Sequence, residues 1–307
     1  VSVLASDLAG YLALRRALGY KLVDDGRQLA QFVAYLDACD TATVTVAAAL
    51  GWATGTGHGG AGGGARRLTV VRGFARYLQA VDPAHEVPPV GLLPNRTTRP
   101  VPHLYTNTET AALMNAAKAL EPPMWAATVE TVIGLLWVTG MRIGEVLRLN
   151  VADIDTGGVA TVWLSKFNKS RHVPLTASTI TALAAYARLR RDLLPAAEVT
   201  TAVFVSMGGQ RLSYQQFLKA FVSLLDTTGL STGPGRRPRI HDFRHSFAVR
   251  TILGWYRDGS DVQALLPRLS TYLGHVAPSS TYWYLSAAPE LMAVAAERLD
   301  RHREGTR

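Results

Sequence analysis

The sequence predicts a mainly helical protein of two domains, with one small antiparallel β-sheet in the second. Three observations carry that expectation. Apolar residues recur at spacings of three and four in the first 82 residues. Six prolines cluster between Asp82 and His103, and two short β-prone runs flank a single turn among otherwise helical segments later in the chain. At 307 residues, 48% hydrophobic and 18% charged, the chain exceeds one ordinary domain and can bury a sizeable core.

Residues 1–82 form the expected first domain. Helices are predicted around Leu8 to Leu18 and Val44 to Trp52, and the sets Leu29, Phe32, Val33, Leu36 and Leu68, Val71, Phe74, Leu78 each fall on one helix face. Gly55 to Gly64 is a glycine-rich run that suits a loop, and no Gly-Lys-Ser/Thr follows to make it a phosphate-binding loop. Residues 83–104, with Pro83, Pro88, Pro89, Pro94, Pro100 and Pro102, read as an extended linker because proline removes an amide donor and fixes the backbone.

The second domain, 105–307, opens on Thr106-Asn107-Thr108-Glu109, a capping-box pattern. Met124 to Met141 is almost wholly apolar, but Glu130 interrupts it and Arg142, Glu145 and Arg148 follow, so a buried core helix is expected rather than a membrane span. Val159 to Leu164 and Arg171 to Leu175 read as a hairpin whose turn, Ser165 to Ser170, carries Lys166 and Lys169. Helices resume over Thr179 to Leu194 and after Ser213, where Gln216 completes a second capping box. Pro289 to Arg301 reads as an amphipathic helix with Leu291, Met292, Ala295 and Leu299 on one side.

Thirty-two Lys plus Arg against 23 Asp plus Glu leave a formal charge of +9 and a pI near 9.9, a balance that favours a polyanion such as nucleic acid. The single cysteine, Cys39, excludes an internal disulfide and a zinc-finger ligand set, and is expected to be a buried thiol in a reducing compartment. The first residues lack the basic, apolar and small-residue succession of a signal peptide, which points to the cytoplasm.

Four segments suggest chemistry: Thr139-Gly140-Met141-Arg142-Ile143-Gly144-Glu145, the lysine-bearing turn, His241-Asp242-Phe243-Arg244-His245, and Leu273-Gly274-His275 followed nine residues later by Tyr284. Displacement at a phosphodiester builds charge on the phosphate oxygens and the leaving oxygen, and an arginine fork neutralises such charge at any working pH. A tyrosine, with a pKa of about 10, needs a neighbouring base or positive field to act as a nucleophile. Singly, each residue has a plainer reading. Arg142 and Glu145 suit an i,i+3 ion pair, His241 and His245 a solvated helix face, Tyr282 to Tyr284 an aromatic cluster, and the lysines a solubilised turn.

In combination and in this order, the segments resemble the tyrosine recombinase (phage integrase) family, in the manner of mobile-element site-specific integrases. The resemblance covers Thr106 to the end. It places catalytic arginines at Arg142 and Arg244, the acidic helper at Glu145, the hairpin lysine at Lys166 with Lys169 as the alternative, histidines at His241 and His275, and the nucleophile at Tyr284 with Tyr282 as its rival. Ser165 and Phe167 stand where the family commonly has glycine, and the stretch between Arg244 and His275 is longer than in compact members.

The resemblance implies a two-domain DNA clamp that cleaves and rejoins DNA through a 3′-phosphotyrosyl intermediate, with neither metal nor nucleotide cofactor. It implies double-stranded DNA at specific recombination sites as partner, and a homo-tetramer on two duplexes assembled from monomers or weak oligomers. It also leaves room for an accessory directionality protein, and implies work in the cytoplasm on the nucleoid. Arg66, Arg67, Arg72, Arg76, Arg236, Arg237 and Arg239 are candidates for DNA contact. Two other readings stay open: a type IB topoisomerase-like nicking and closing enzyme, and a DNA-binding factor with a decayed active site.

Overall fold

The computed structural model describes residues 2–55, 63–94, 101–163, 170–194, 200–232 and 237–274. The chain divides into two compact units, Val1–Pro100 and Val101–Arg307.

The first unit is built from α1 (Val3–Ala17), α2 (Val23–Ala38), α3 (Val46–Gly55) and α4 (Gly63–Gln79). Both stripes read from the sequence are buried, with Phe32, Leu36, Val71 and Phe74 wholly enclosed. Tyr11 tilts against Phe74 at 5.5 Å and Phe32 against Trp52 at 5.1 Å, so aromatic contacts lock the helices beyond simple area burial. Ser2 caps α1 by accepting the amide of Ala5 at 3.3 Å.

The described part of the proline-rich stretch does not run free of this unit. His85 is buried, and its Nδ1 accepts the Val44 amide at 3.0 Å. Arg72 is also buried and donates from Nε to the Pro88 carbonyl at 2.7 Å and from Nη2 to the Pro89 carbonyl at 2.9 Å. Proline carbonyls in extended chain have no ladder partner, and a single guanidinium fork satisfies two of them. Arg72 is therefore a clamp on the backbone rather than a DNA contact. Cys39 is a second correction: it stands exposed at the C-terminal cap of α2, where the chain turns away from the core.

The second unit contains α5 (Asn107–Lys118), α6 (Pro123–Thr139), a short α7 (Ile143–Val146), a 3-10 turn (Val151–Asp153), β1 (Val159–Val162), β2 (Arg171–Pro174), α8 (Ala177–Leu193), α9 (Tyr214–Thr227), α10 (Asp242–Arg257) and α11 (Val262–Leu273). The strands are antiparallel, with Val159 opposite Pro174 and Val162 opposite Arg171. α6 is apolar nearly all round, and it packs against α5, α8, α9 and α10 as the central helix of the unit. No helix among the described residues is long and apolar enough to cross a membrane.

Both capping boxes form. The Glu109 amide donates to Thr106 Oγ1 at 3.1 Å and the Thr106 amide to Glu109 Oε2 at 2.7 Å, while the Gln216 amide reaches Ser213 Oγ at 3.2 Å. β1 runs to Val162; the next residue, Trp163, is exposed and its indole N–H donates to Asp153 at 2.8 Å, while Leu164, the end of the β-prone run, lies outside the described residues. α10 and α11, which the apolar pattern does not reveal, bring the His241–His245 segment onto α6 and the Leu273 end of α11 beside β2.

Candidate active site

Three chain turns meet to form the site. α6 stops at Gly140, whose φ of 60° is the left-handed conformation glycine accepts freely. A side chain there would also strike the Phe247 ring, which lies 2.6 Å from where a Cβ would sit. The turn delivers Arg142 to the N-cap of α7, and Glu145 reaches back to accept the Arg142 amide at 2.9 Å and its Nη1 at 2.8 Å. The i,i+3 pair is thus present, but Glu145 is 3% exposed, so it is not a surface pair.

α10 begins at Asp242, a buried carboxylate that accepts the Arg239 amide at 2.8 Å and its Nη2 at 2.7 Å. One turn on, Arg244 is 1% exposed and donates from Nη1 to the Gly140 carbonyl at 3.0 Å and from Nη2 to the Leu273 carbonyl. α11 ends at Gly274, also left-handed, and Arg142 Nη2 donates to the Gly274 carbonyl at 3.3 Å. The two arginines therefore stitch the turn after α6 to the end of α11, directly before His275. His241 meets His245 edge to face at 4.9 Å; His245 is buried, so the reading of a solvated histidine face does not hold for it.

The electrostatics follow from this crowding. Burial alone pushes Glu145 upward, but the hydrogen bonds and charge of Arg171, joined by those of Arg142, outweigh it and hold the carboxyl at about 2. His241 is lowered to about 4 by desolvation, then by the charge of Arg244 against an upward pull from Asp242, with Arg142 and Arg239 adding to the fall. The residue is exposed overall, yet the direction holds on charge alone: three guanidiniums face it against one carboxylate. A neutral imidazole keeps one unprotonated ring nitrogen at pH 7, and the same positive field weakens it as a base.

Lys166, Lys169, His275, Tyr282, Tyr284 and Arg236 lie outside the described residues. Of the remaining DNA-contact candidates, Arg66 and Arg76 are exposed on α4, and Arg67 lies over the Trp52 ring at 5.5 Å. Arg237 is paired with Asp226 at 2.7 Å and Arg239 with Asp242 at 2.7 Å. Sequence reasoning missed Arg171, whose place as the first residue of β2 gave no signal of the ion pair it makes.

Residues 104–290 match the sequence profile described as the phage integrase family. The chain belongs to the phage integrase family. A putative integrase/recombinase, y4rB of Sinorhizobium fredii, is 41% identical over 305 residues, covering 96% of each chain. The tyrosine recombinase XerD of Mycobacterium tuberculosis is 31% identical over 223 residues, covering 72% of this chain and 68% of its own.

Solved structures share the phage integrase fold at lower identity. A λ integrase dimer bound to a COC′ core site aligns with a TM-score of 0.63 at 19% identity, over 90% of this chain and 96% of that one. A Tn1549 transposon integrase in complex with a circular intermediate DNA aligns at 0.66 and 14% identity, over 95% and 99%. The segments quoted for the family therefore lie within a chain whose family and fold are both matched. The arginines, glutamate and first histidine among them converge in space.

Proposed function

We propose that the chain is a site-specific recombinase or integrase that cleaves duplex DNA with Tyr284 and exchanges strands between two duplexes. The supporting observation is the meeting of Arg142 and Arg244 around the Gly140 and Gly274 turns, in the stretch that leads to His275, with His241 in the field of both guanidiniums. In the cleavage step the Tyr284 hydroxyl oxygen bonds to phosphorus as the bond from phosphorus to the 5′-oxygen breaks. The tyrosine proton passes to the neutral His241, and Lys166 protonates the departing 5′-oxygen. The phosphotyrosyl ester keeps the energy of the phosphodiester, so attack by a 5′-hydroxyl from the partner duplex rejoins DNA without ATP or metal.

The two arginines have different work. Arg142, whose side chain is 25% exposed, presents its charge to the phosphate. Arg244 is enclosed, and it orders the carbonyls of Gly140 and Leu273 while adding charge from beneath. Assembly would follow the λ integrase tetramer described on a Holliday junction, with 289–307 docking on a neighbouring subunit and an accessory protein setting direction on the nucleoid. A covalent protein–DNA adduct formed from a random-sequence duplex pool, followed by strand exchange between two captured duplexes, tests this reading. Resealing of the same strand without exchange would favour the topoisomerase, and binding without adduct the decayed factor.

A further inference from the structure

Arg171 sits where three segments of the site join. It is the first residue of β2, two residues beyond Lys169, and its side chain is 9% exposed. Its fork donates to both oxygens of Glu145, at 3.0 Å and 2.7 Å, and its Nε donates to the Tyr272 carbonyl at 2.7 Å. Glu145 holds Arg142, and Arg142 holds the Gly274 carbonyl. The links close into a ring that runs from β2 through Glu145 and Arg142 to the end of α11 and back.

The charge count in that ring decides what Arg171 does. One arginine facing one buried carboxylate would form a neutral bidentate pair with both forks consumed. Here two guanidiniums share one carboxylate, which leaves a net charge of about +1 on the trio. Because Arg171 supplies the bidentate contact, Arg142 gives the carboxylate only one side-chain N–H. Its Nη2 serves the Gly274 carbonyl with one N–H, and the remaining N–H groups of the fork are left for a phosphate.

We infer that Arg171 is a positioning residue for phosphate activation: by holding Glu145 it leaves the charge of Arg142 only partly compensated and its fork oriented, and it ties that orientation to β2, the strand that follows Lys166 and Lys169 in the chain. The inference rests on the function proposed above. Arg171 itself is too enclosed to meet a phosphate, so its effect is indirect. The depressed Glu145 carboxyl is consistent with a carboxylate held by two cations.

The test uses the full chain, a duplex captured from a random-sequence pool by adduct formation, and the same duplex with a neutral methylphosphonate at the scissile position. A methylphosphonate needs no charge neutralisation, so a misplaced Arg142 slows the ordinary phosphodiester more than the neutral substrate. Arg171→Lys keeps the charge and loses the fork. It should form adduct about 100-fold more slowly on the phosphodiester and less than about tenfold more slowly on the methylphosphonate, with unchanged DNA affinity. Arg142→Ala is the control for that skew.

Equal losses on both substrates, or wild-type rates on both, overturn the inference. If Arg171→Lys does not fold, Glu145→Gln carries the test, because the path runs through that carboxylate; a wild-type ratio of the two rates then overturns it. No adduct from the wild-type protein on the phosphodiester removes the proposed function itself, a result distinct from a wild-type protein that cleaves and a variant without the skew.

Discussion

The two units treat buried charge in opposite ways. Among the described residues of the first unit, the buried polar or charged side chains are Arg72 and His85, and each is satisfied by backbone: two proline carbonyls for one, the Val44 amide for the other. In the second unit the buried carboxylates Glu145 and Asp242 are answered directly by the guanidiniums of Arg142, Arg171 and Arg239, and beside them Arg244 and His245 are also buried, with Arg244 donating to the Gly140 and Leu273 carbonyls. Taking ions out of water costs several kcal/mol each, and a hydrophobic replacement is often as stable. A fold that gathers buried carboxylates and guanidiniums at one junction, where the other unit buries a single guanidinium, makes that junction the candidate place of chemistry.

The largest effect that would sharpen this contrast is on cleavage. Arg142→Ala should slow adduct formation by about 10² to 10³ with little loss of site affinity, because it removes a donor to transition-state charge. Cleavage within tenfold of wild type would make that arginine structural. Arg244→Ala should show the same kinetic loss and also destabilise the fold by about 1–3 kcal/mol for each buried carbonyl left unpaired, measured by denaturant unfolding. A stable, cleavage-dead Arg244→Ala would break the distinction between the two arginines.

Arg72→Ala should also destabilise by about 1–3 kcal/mol, yet leave adduct formation by the bound, folded protein unchanged. A specific cleavage defect there would show that the first unit's arginine does more than clamp backbone.

Acidification gives a smaller effect of known sign. Glu145 folds with its carboxyl lowered from 4.5 to about 2, so its stabilisation is present above about 4.5 and is lost as pH falls toward 2. His241, lowered from 6.5 to about 4, favours the folded state when neutral, so stability also declines as pH falls through that window. Glu145→Gln should flatten the melting temperature below pH 4.5 and His241→Gln between pH 6.5 and 4; unchanged slopes would contradict the local electrostatics. Least of all, Arg76→Ala should weaken DNA binding and reduce the salt slope by about one phosphate contact, and an unaltered slope would remove it from the interface.

Much of the fold was legible because local chemistry and tertiary packing agree: the stripes of α2 and α4, the core helix α6 and both capping boxes rest on residues whose short-range preference is also their buried role. α10 escaped the apolar pattern because Asp242, Arg244, His245 and Ser246 are all buried and interrupt its periodicity. The proline-rich stretch looked like free linker since nothing in its own sequence shows that Arg72, on another element, would bond its carbonyls. Arg142, Glu145, His241 and Arg244, which converge in space, stood out in the sequence through their ordered motifs. Arg171 did not, because its meaning lies in a carboxylate 26 residues away.

The proposed reaction joins a tyrosine late in the chain covalently to DNA. Trapping the wild-type protein on a captured duplex, digesting the adduct and locating the phosphonucleotide by mass spectrometry tests it most directly. The modification should fall on Tyr284, joined to the 3′ side of the break and formed in chelator or out of it, and Tyr284→Phe should bind DNA and give no adduct. A modification on Tyr282, or an adduct formed by Tyr284→Phe, would contradict that assignment.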